Sequence, residues 1–138
     1  AQAGARVLLL DAQPGAATNA REALGKTWDN LVAKGKLTAD DRAAFMGRLQ
    51  VAESAQDLKA CDIVIEAIVE RLDVKQALFK QLEEIVAPDA VLVSNTSSLS
   101  ITAIASALRN PQRFAGYHFF NPVPLMKVVE VIAGLKTD

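Results

Sequence analysis

The sequence predicts an α/β fold: a mostly parallel sheet with helices on both faces, closed by an antiparallel strand pair near the C-terminus. Three observations predict it. Short apolar runs at Val7–Leu10, Ile63–Ile65, Ala90–Ser94 and Phe114–Phe120 lack the alternation of a half-exposed strand, as expected of strands covered on both faces. Stretches with apolar residues at helical spacing lie between them. Finally, Asn121-Pro122-Val123-Pro124 ends the last of these runs and a second β-rich run, Met126–Ile132, follows it at hairpin distance.

In chain order, Ala1–Ala5 reads as the tail of a helix ending near Gly4. Arg6–Asp11 is a buried parallel-type strand. A long helix runs from Pro14, suited to a first turn, to about Gly35, with Ala20, Leu24, Trp28, Leu31 and Val32 on one face. Thr38-Ala39-Asp40-Asp41 resembles a capping box and opens a second helix through Arg48, so a helical hairpin precedes the next strand, Leu49–Ala52. Ser54 and Asp57 start a short helical turn that ends near Lys59. Asp62–Ile68 is a buried strand, and Leu72–Val86 an amphipathic helix with Leu72, Leu78, Phe79, Leu82, Ile85 and Val86 inward. Ala90–Ser94 is a core strand, Ile101–Leu108 a helix, and Phe114–Phe120 a strand that carries the only histidine, His118.

Several side chains invite a chemical reading. A hairpin centred on Pro124 sets His118 opposite Glu130, with Cβ atoms roughly 4.5–5.5 Å apart. A carboxylate there would fix the imidazole tautomer, the orienting half of a general-base dyad. The other reading is a histidine buried in a strand and a glutamate on the wet face. Asp11, closing the first strand, is either an acceptor for ribose hydroxyls, which also disfavours a 2′-phosphate, or a cap for the next element. Glu66 and Glu70 follow a parallel strand, where such folds bind ligands; with Lys75 they are otherwise a helix cap and a surface ion pair. Ser94-Asn95-Thr96-Ser97-Ser98 after a core strand would, by default, cap the next helix.

The run His-Phe-Phe-Asn-Pro-Val-Pro-Leu-Met-Lys-Val-Val-Glu-Val at 118–131, with Ser-Asn-Thr-Ser-Ser-Leu-Ser-Ile at 94–101, closely resembles the NAD-binding domain of the L-3-hydroxyacyl-CoA dehydrogenases. The resemblance extends from about Arg6 to Ile132 and implies a Rossmann-like sheet. It implies His118 as catalytic base, Glu130 as its orienting carboxylate, and Ser97 as hydrogen-bond partner of the reacting oxygen. Asn95 lies near the nicotinamide and Asn121 helps place substrate and cofactor. Glu70 and Lys75, in Glu-Ala-Ile-Val-Glu-x-Leu-x-Val-Lys, fall on the cofactor side with Asp11. Thr27 and Lys34 fall where contacts to the CoA nucleotide are expected, and Ser98 and Ser100 are read as caps. The glycine-rich phosphate loop and first strand of such a domain have no counterpart before Asp11, and the family's helical second domain, with a further active-site asparagine and the usual homodimer interface, has none after Asp138. The expectation is therefore a fragment, an incomplete NAD-binding domain spanning 1–138, with strands facing a gap and little activity alone.

Composition narrows the function further. At 138 residues, 51% hydrophobic and 22% charged, the chain suits one ordinary globular domain. A formal net charge of −1 offers no field for nucleic acid or anionic membrane, and no apolar run approaches the ~20 residues of a membrane span. A single cysteine, Cys61, permits neither an internal disulfide nor a cysteine metal cluster. No metal is expected. A cytoplasmic or organelle-matrix enzyme fits best. The activity that the resemblance implies is NAD-dependent oxidation of a 3-hydroxyacyl-CoA. Three alternatives are a Rossmann-like binding module without catalysis, another NAD enzyme such as a 2- or 3-hydroxy acid dehydrogenase acting on free acids, and the dehydrogenase segment of a multifunctional fatty-acid oxidation protein.

Overall fold

The computed structural model describes residues 1–138. They divide into two compact units, Ala1–Asp57 and Leu58–Asp138.

The first unit is a β-α-α-β unit. Strand β1 (Val7–Leu9) pairs in parallel with β2 (Leu49–Val51), with Val7 beside Leu49. Between them run α1 (Ala16–Ala33) and α2 (Ala39–Arg48), the expected helical hairpin. Helix α1 starts two residues later than Pro14, because Gly15 takes a left-handed conformation at φ 81° and serves as N-cap. It ends as expected at Gly35, φ 66°. There the Gly35 amide donates to Val32 and the Lys36 amide to Leu31, satisfying the last carbonyls of the helix. Thr38 caps α2: its hydroxyl accepts from the Asp41 amide at 3.0 Å and donates to the Asp41 carboxylate at 2.7 Å. Trp28 is buried and meets Phe45 edge-on at 5.5 Å, holding the hairpin together. The Arg21 Nε donates to the Leu49 carbonyl at 2.7 Å, and Arg42 grips Asp29 with two nitrogens.

Two segments differ from expectation. Ala1–Ala5 forms a turn closed by the Gly4 amide on the Ala1 carbonyl, not the end of a helix. The strand at Val7–Leu10 is half-buried rather than fully buried, and Leu10 lies exposed beyond it, because β1 has a strand partner on one edge only.

A 3₁₀ turn, Ala55–Ala60, leads into the second unit. Ser54 and Asp57 open it as expected: the Asp57 carboxylate accepts from the Glu53 and Ser54 amides. The second unit holds β3 (Ile63–Glu66), α3 (Leu72–Ile85), β4 (Val91–Ser94), α4 (Ile101–Ala105), β5 (Phe114–Phe119) and β6 (Val129–Ala133). Its sheet has the order β3-β4-β5-β6, the first three parallel and the last pair antiparallel. Phe79 of α3, Leu92 of β4, Ile104 of α4 and Phe114 of β5 are fully buried, and the Phe79 and Phe114 rings meet edge-to-face at 4.7 Å. Gly116 lets α4 lie directly on β5: a Cβ there would fall 2.8 Å from Ile101 Cδ1 and 3.1 Å from Ile132 Cβ.

The expected buried strand at Asp62–Ile68 is shorter and lies at the edge of this sheet. Ile63 and Ile65 are each 47% exposed, because β3 pairs with β4 alone. Helix α4 stops at Ala105 rather than Leu108. On α3, Leu72 is exposed, while Lys75 occupies an inward position. No helix is long and apolar enough to cross a membrane.

Candidate functional site

The three parallel strands of the second unit end at one rim of the sheet. Register aligns Glu66 with Ser94 and Ser94 with Gly116, so the residues beyond them share the edge where parallel α/β sheets bind ligands. A carboxylate lies under this rim. Glu66 is buried, and its Oε1 accepts from the Ile68 amide and from Lys75 Nζ, both at 2.6 Å. Its Oε2 accepts from the Ser94 hydroxyl at 2.6 Å. Lys75, in the first turns of α3, points back beneath the strand ends. Its Nζ also donates to the Ile68 carbonyl and lies 3.3 Å from Glu70 Oε2.

Glu70 holds the loop that follows β4. Its Oε1 accepts from the Thr96 hydroxyl, from the Ser97 and Ser98 amides at 3.2 and 3.3 Å, and from the Ser98 hydroxyl at 3.2 Å. Burial acts against the charged carboxyl. Hydrogen bonds from Thr96, Lys75 and Ser98 outweigh it and lower the Glu70 pKa to about 2. A depressed pKa places the group's stabilising contribution above its ordinary value near 4.5 and removes it as pH falls through about 2. Glu70→Gln, which mimics the protonated acid, is therefore expected to melt below the parent at neutral pH. The gap between the two should narrow as acid protonates Glu70 in the parent. Thermal melts followed by circular dichroism across pH check this; a gap as wide at about pH 3 as at about pH 7 contradicts it.

His118 and Glu130 face each other across β5 and β6, the register expected from the proline-centred hairpin. His118 Nδ1 lies 3.0 Å from Glu130 Oε2. A carboxylate only accepts, so Nδ1 carries the hydrogen, and in the neutral imidazole Nε2 keeps the lone pair. The imidazole side chain is 22% exposed, its partner 54%, and the Phe120 ring meets the imidazole edge-on at 4.9 Å. Asn95 ties the β4 loop to this strand: its Oδ1 accepts from the Phe119 amide at 3.0 Å, which leaves its NH₂ to donate elsewhere. Ser97 and Asn121 are exposed with no protein partner for their side chains, and the Asn121–Pro122 peptide is cis. In the loop after β4, Asn95 keeps its amide donors and Ser97 its hydroxyl free of protein partners.

Other sequence candidates stand as follows. Asp11, Thr27 and Lys34 belong to the first unit. Asp11 is exposed, and its Oδ1 accepts from the Gln13 amide at 2.8 Å, so it closes a local turn with one oxygen to spare. The Thr27 hydroxyl donates to the Ala23 carbonyl within α1, and Lys34 is exposed at the C-cap of that helix. Lys75 pairs with Glu70 as one reading had it, but not at the surface: its side chain is 1% exposed and its ammonium is enclosed by two carboxylates. Ser100 caps α4 as expected, accepting from the Ala103 amide, but Ser98 binds Glu70 instead of capping. Sequence reasoning missed Thr96 and the depth of Glu66. The signal was an acid within the apolar run Ile63-Val64-Ile65-Glu66-Ala67-Ile68, where a carboxylate requires a buried partner.

Comparison with known proteins agrees with this fold. The family described as "3-hydroxyacyl-CoA dehydrogenase, NAD binding domain" matches residues 1–138. A 3-hydroxyadipyl-CoA dehydrogenase of Escherichia coli is 48% identical over 134 residues, covering 97% of this chain and 28% of that protein. A probable 3-hydroxybutyryl-CoA dehydrogenase of Deinococcus radiodurans is 45% identical across the whole chain, which spans 49% of it. Among solved structures, a 3-hydroxybutyryl-CoA dehydrogenase from Escherichia coli superposes with a TM-score of 0.96 at 47% identity, covering 99% of this chain and 29% of that one. The chain thus spans between about a quarter and a half of the length of these relatives. These matches show that the chain belongs to the family of NAD-binding domains of the 3-hydroxyacyl-CoA dehydrogenases.

Proposed function

We propose that this domain serves NAD-dependent oxidation of the 3-hydroxyl of an L-3-hydroxyacyl-CoA to the ketone, and the reverse reduction. The observation that carries the reading is the His118 Nδ1–Glu130 Oε2 contact at 3.0 Å. In the neutral imidazole it leaves Nε2 free to accept a proton, in a domain whose family binds NAD. In the oxidation, Nε2 accepts the proton of the 3-hydroxyl as the C3 hydride departs, and Glu130 stabilises the imidazolium that forms. The reverse step returns that proton to the ketone oxygen. The Ser97 hydroxyl donates to the reacting oxygen as its charge develops. Bound NAD supplies the hydride acceptor, and the protein supplies position and electrostatics.

On the cofactor side, Asn95 directs its amide donors to the nicotinamide, and Asn121 helps to place substrate against it. Glu70 shapes the loop around them. Lys75 acts from beneath Glu70, since it is buried. In the first unit, Asp11 keeps one carboxylate oxygen for ribose hydroxyls, while Thr27 and Lys34 are proposed contacts for the CoA nucleotide.

The test follows NADH consumption by the full-length protein with acetoacetyl-CoA and with free acetoacetate. Turnover of the thioester is expected to exceed that of the free acid by orders of magnitude, because binding energy from the remote CoA portion is used to orient the acyl group for reaction. Equal rates would remove CoA recognition from the reading, and no NADH consumption with any 3-oxoacyl-CoA would end it.

A further inference from the structure

We propose that Glu66 and Lys75 form a buried positioning pair that holds the Glu70 carboxylate against the 96–98 turn, and so fixes where the Ser97 hydroxyl is presented. Its catalytic consequence rests on the dehydrogenase reading above; the clamp itself does not.

Both members of the pair are enclosed by protein. The Lys75 side chain is 1% exposed and that of Glu66 0%. A fold-only role for α3 at this point would be met by an apolar side chain, since buried ion pairs are often replaced by hydrophobic residues without loss of stability. The connections of this pair lead elsewhere. One ammonium bridges two carboxylates, 2.6 Å from Glu66 and 3.3 Å from Glu70. Each carboxylate then holds a different part of the same loop. Glu66 takes the Ser94 hydroxyl, and the Ser94 oxygen in turn accepts from the Thr96 amide at 3.3 Å. Glu70 takes the Thr96 hydroxyl, the Ser97 amide, and the amide and hydroxyl of Ser98. Thr96 Oγ1 also accepts from the Leu99 amide at 3.0 Å.

The loop is therefore held at its start by Glu66 and across its turn by Glu70, with Lys75 fixing the spacing between the two acids. Ser97 contributes its amide to this network and keeps its hydroxyl free. Glu70 is the member with solvent access, its side chain 39% exposed, so its position depends most on what lies behind it. The charged groups facing Glu70 are Lys75 from α3 and, through that ammonium, Glu66 from β3; the remaining contacts are Thr96 and Ser98.

The experiment compares the full-length parent with the Glu66→Gln/Lys75→Met double variant, which removes both buried charges at similar volume. Hydrogen–deuterium exchange reads the amides of residues 97–99. Steady-state kinetics read kcat with acetoacetyl-CoA and KM for NADH. Loss of one charge-assisted constraint corresponds to about tenfold or more. Exchange at 97–99 is therefore expected to speed up by that factor. The kcat should fall similarly at an assay temperature well below both melting points, with KM for NADH little changed. Parent-like exchange at 97–99 overturns the proposal. So does faster exchange with parent-like kcat, because the turn then does not govern the reaction. An inactive parent would instead sink the dehydrogenase reading, while exchange still decides the clamp. Should the double variant fail to fold, Glu66→Asp keeps the charge but draws the ammonium away from Glu70. The same exchange and kinetic outcomes then apply to it.

Discussion

Replacing His118 by Gln in the full-length protein is expected to lower kcat by about 10²- to 10⁴-fold, the usual range for a positioned general acid–base. Gln keeps a polar side chain of similar reach but cannot take up the substrate proton. Glu130→Gln should come close to the same loss by a different route. The carboxylate accepts the Nδ1 hydrogen and thereby leaves Nε2 bare. An amide at the same place can donate to Nδ1 instead. That would put the hydrogen on Nε2, where the base must be free, and would remove the negative charge that stabilises the imidazolium. NADH affinity, read by fluorescence titration, should change little in either variant, because neither side chain is assigned to the cofactor. A Glu130→Gln protein with parent-like kcat would reduce the pair to a strand-to-strand contact. A His118→Gln protein with parent-like kcat would remove proton transfer from that residue altogether.

The pairing was legible before the structure because an antiparallel hairpin has few free parameters. Once prolines end β5 and a β-rich run follows, the centre of the turn sets every opposed pair, and His118 falls opposite Glu130. Helix ends at Gly35 and Thr38 were legible for a similar reason: each depends on the conformation or side chain of one residue. Burial was less legible. An apolar run such as Ile63-Val64-Ile65 reads as covered on both faces, yet exposure depends on which neighbours the strand finds, and β3 has one. The same limit hid Lys75. Spacing gave α3 an inward face, but no periodicity distinguishes a lysine at the helix boundary that reaches water from one that turns back to a buried acid nine residues earlier. The acid inside the apolar run was the available signal, and its meaning depended on a partner brought in by the fold.

That buried lysine makes the second large expectation. Lys75→Met alone should destabilise the protein by about 3–5 kcal/mol, the range for removing one partner of a buried ion pair. The methionine itself fits: it is flexible, apolar and close to the lysine stem in length. The loss comes from what remains. Glu66, with its side chain fully enclosed, keeps only the Ile68 amide and the Ser94 hydroxyl as donors, and a second carboxylate stays nearby at Glu70. Two acids that shared one cation would then face each other without it. Adding Glu66→Gln to Lys75→Met removes the stranded charge and should restore most of the lost stability, so the two substitutions are strongly non-additive. Denaturant unfolding of the parent, both single variants and the double variant measures that coupling directly. A single Lys75→Met variant within about 1 kcal/mol of the parent would mean that Glu66 is already compensated without the lysine, and the ammonium would then be incidental to both the core and the loop above it.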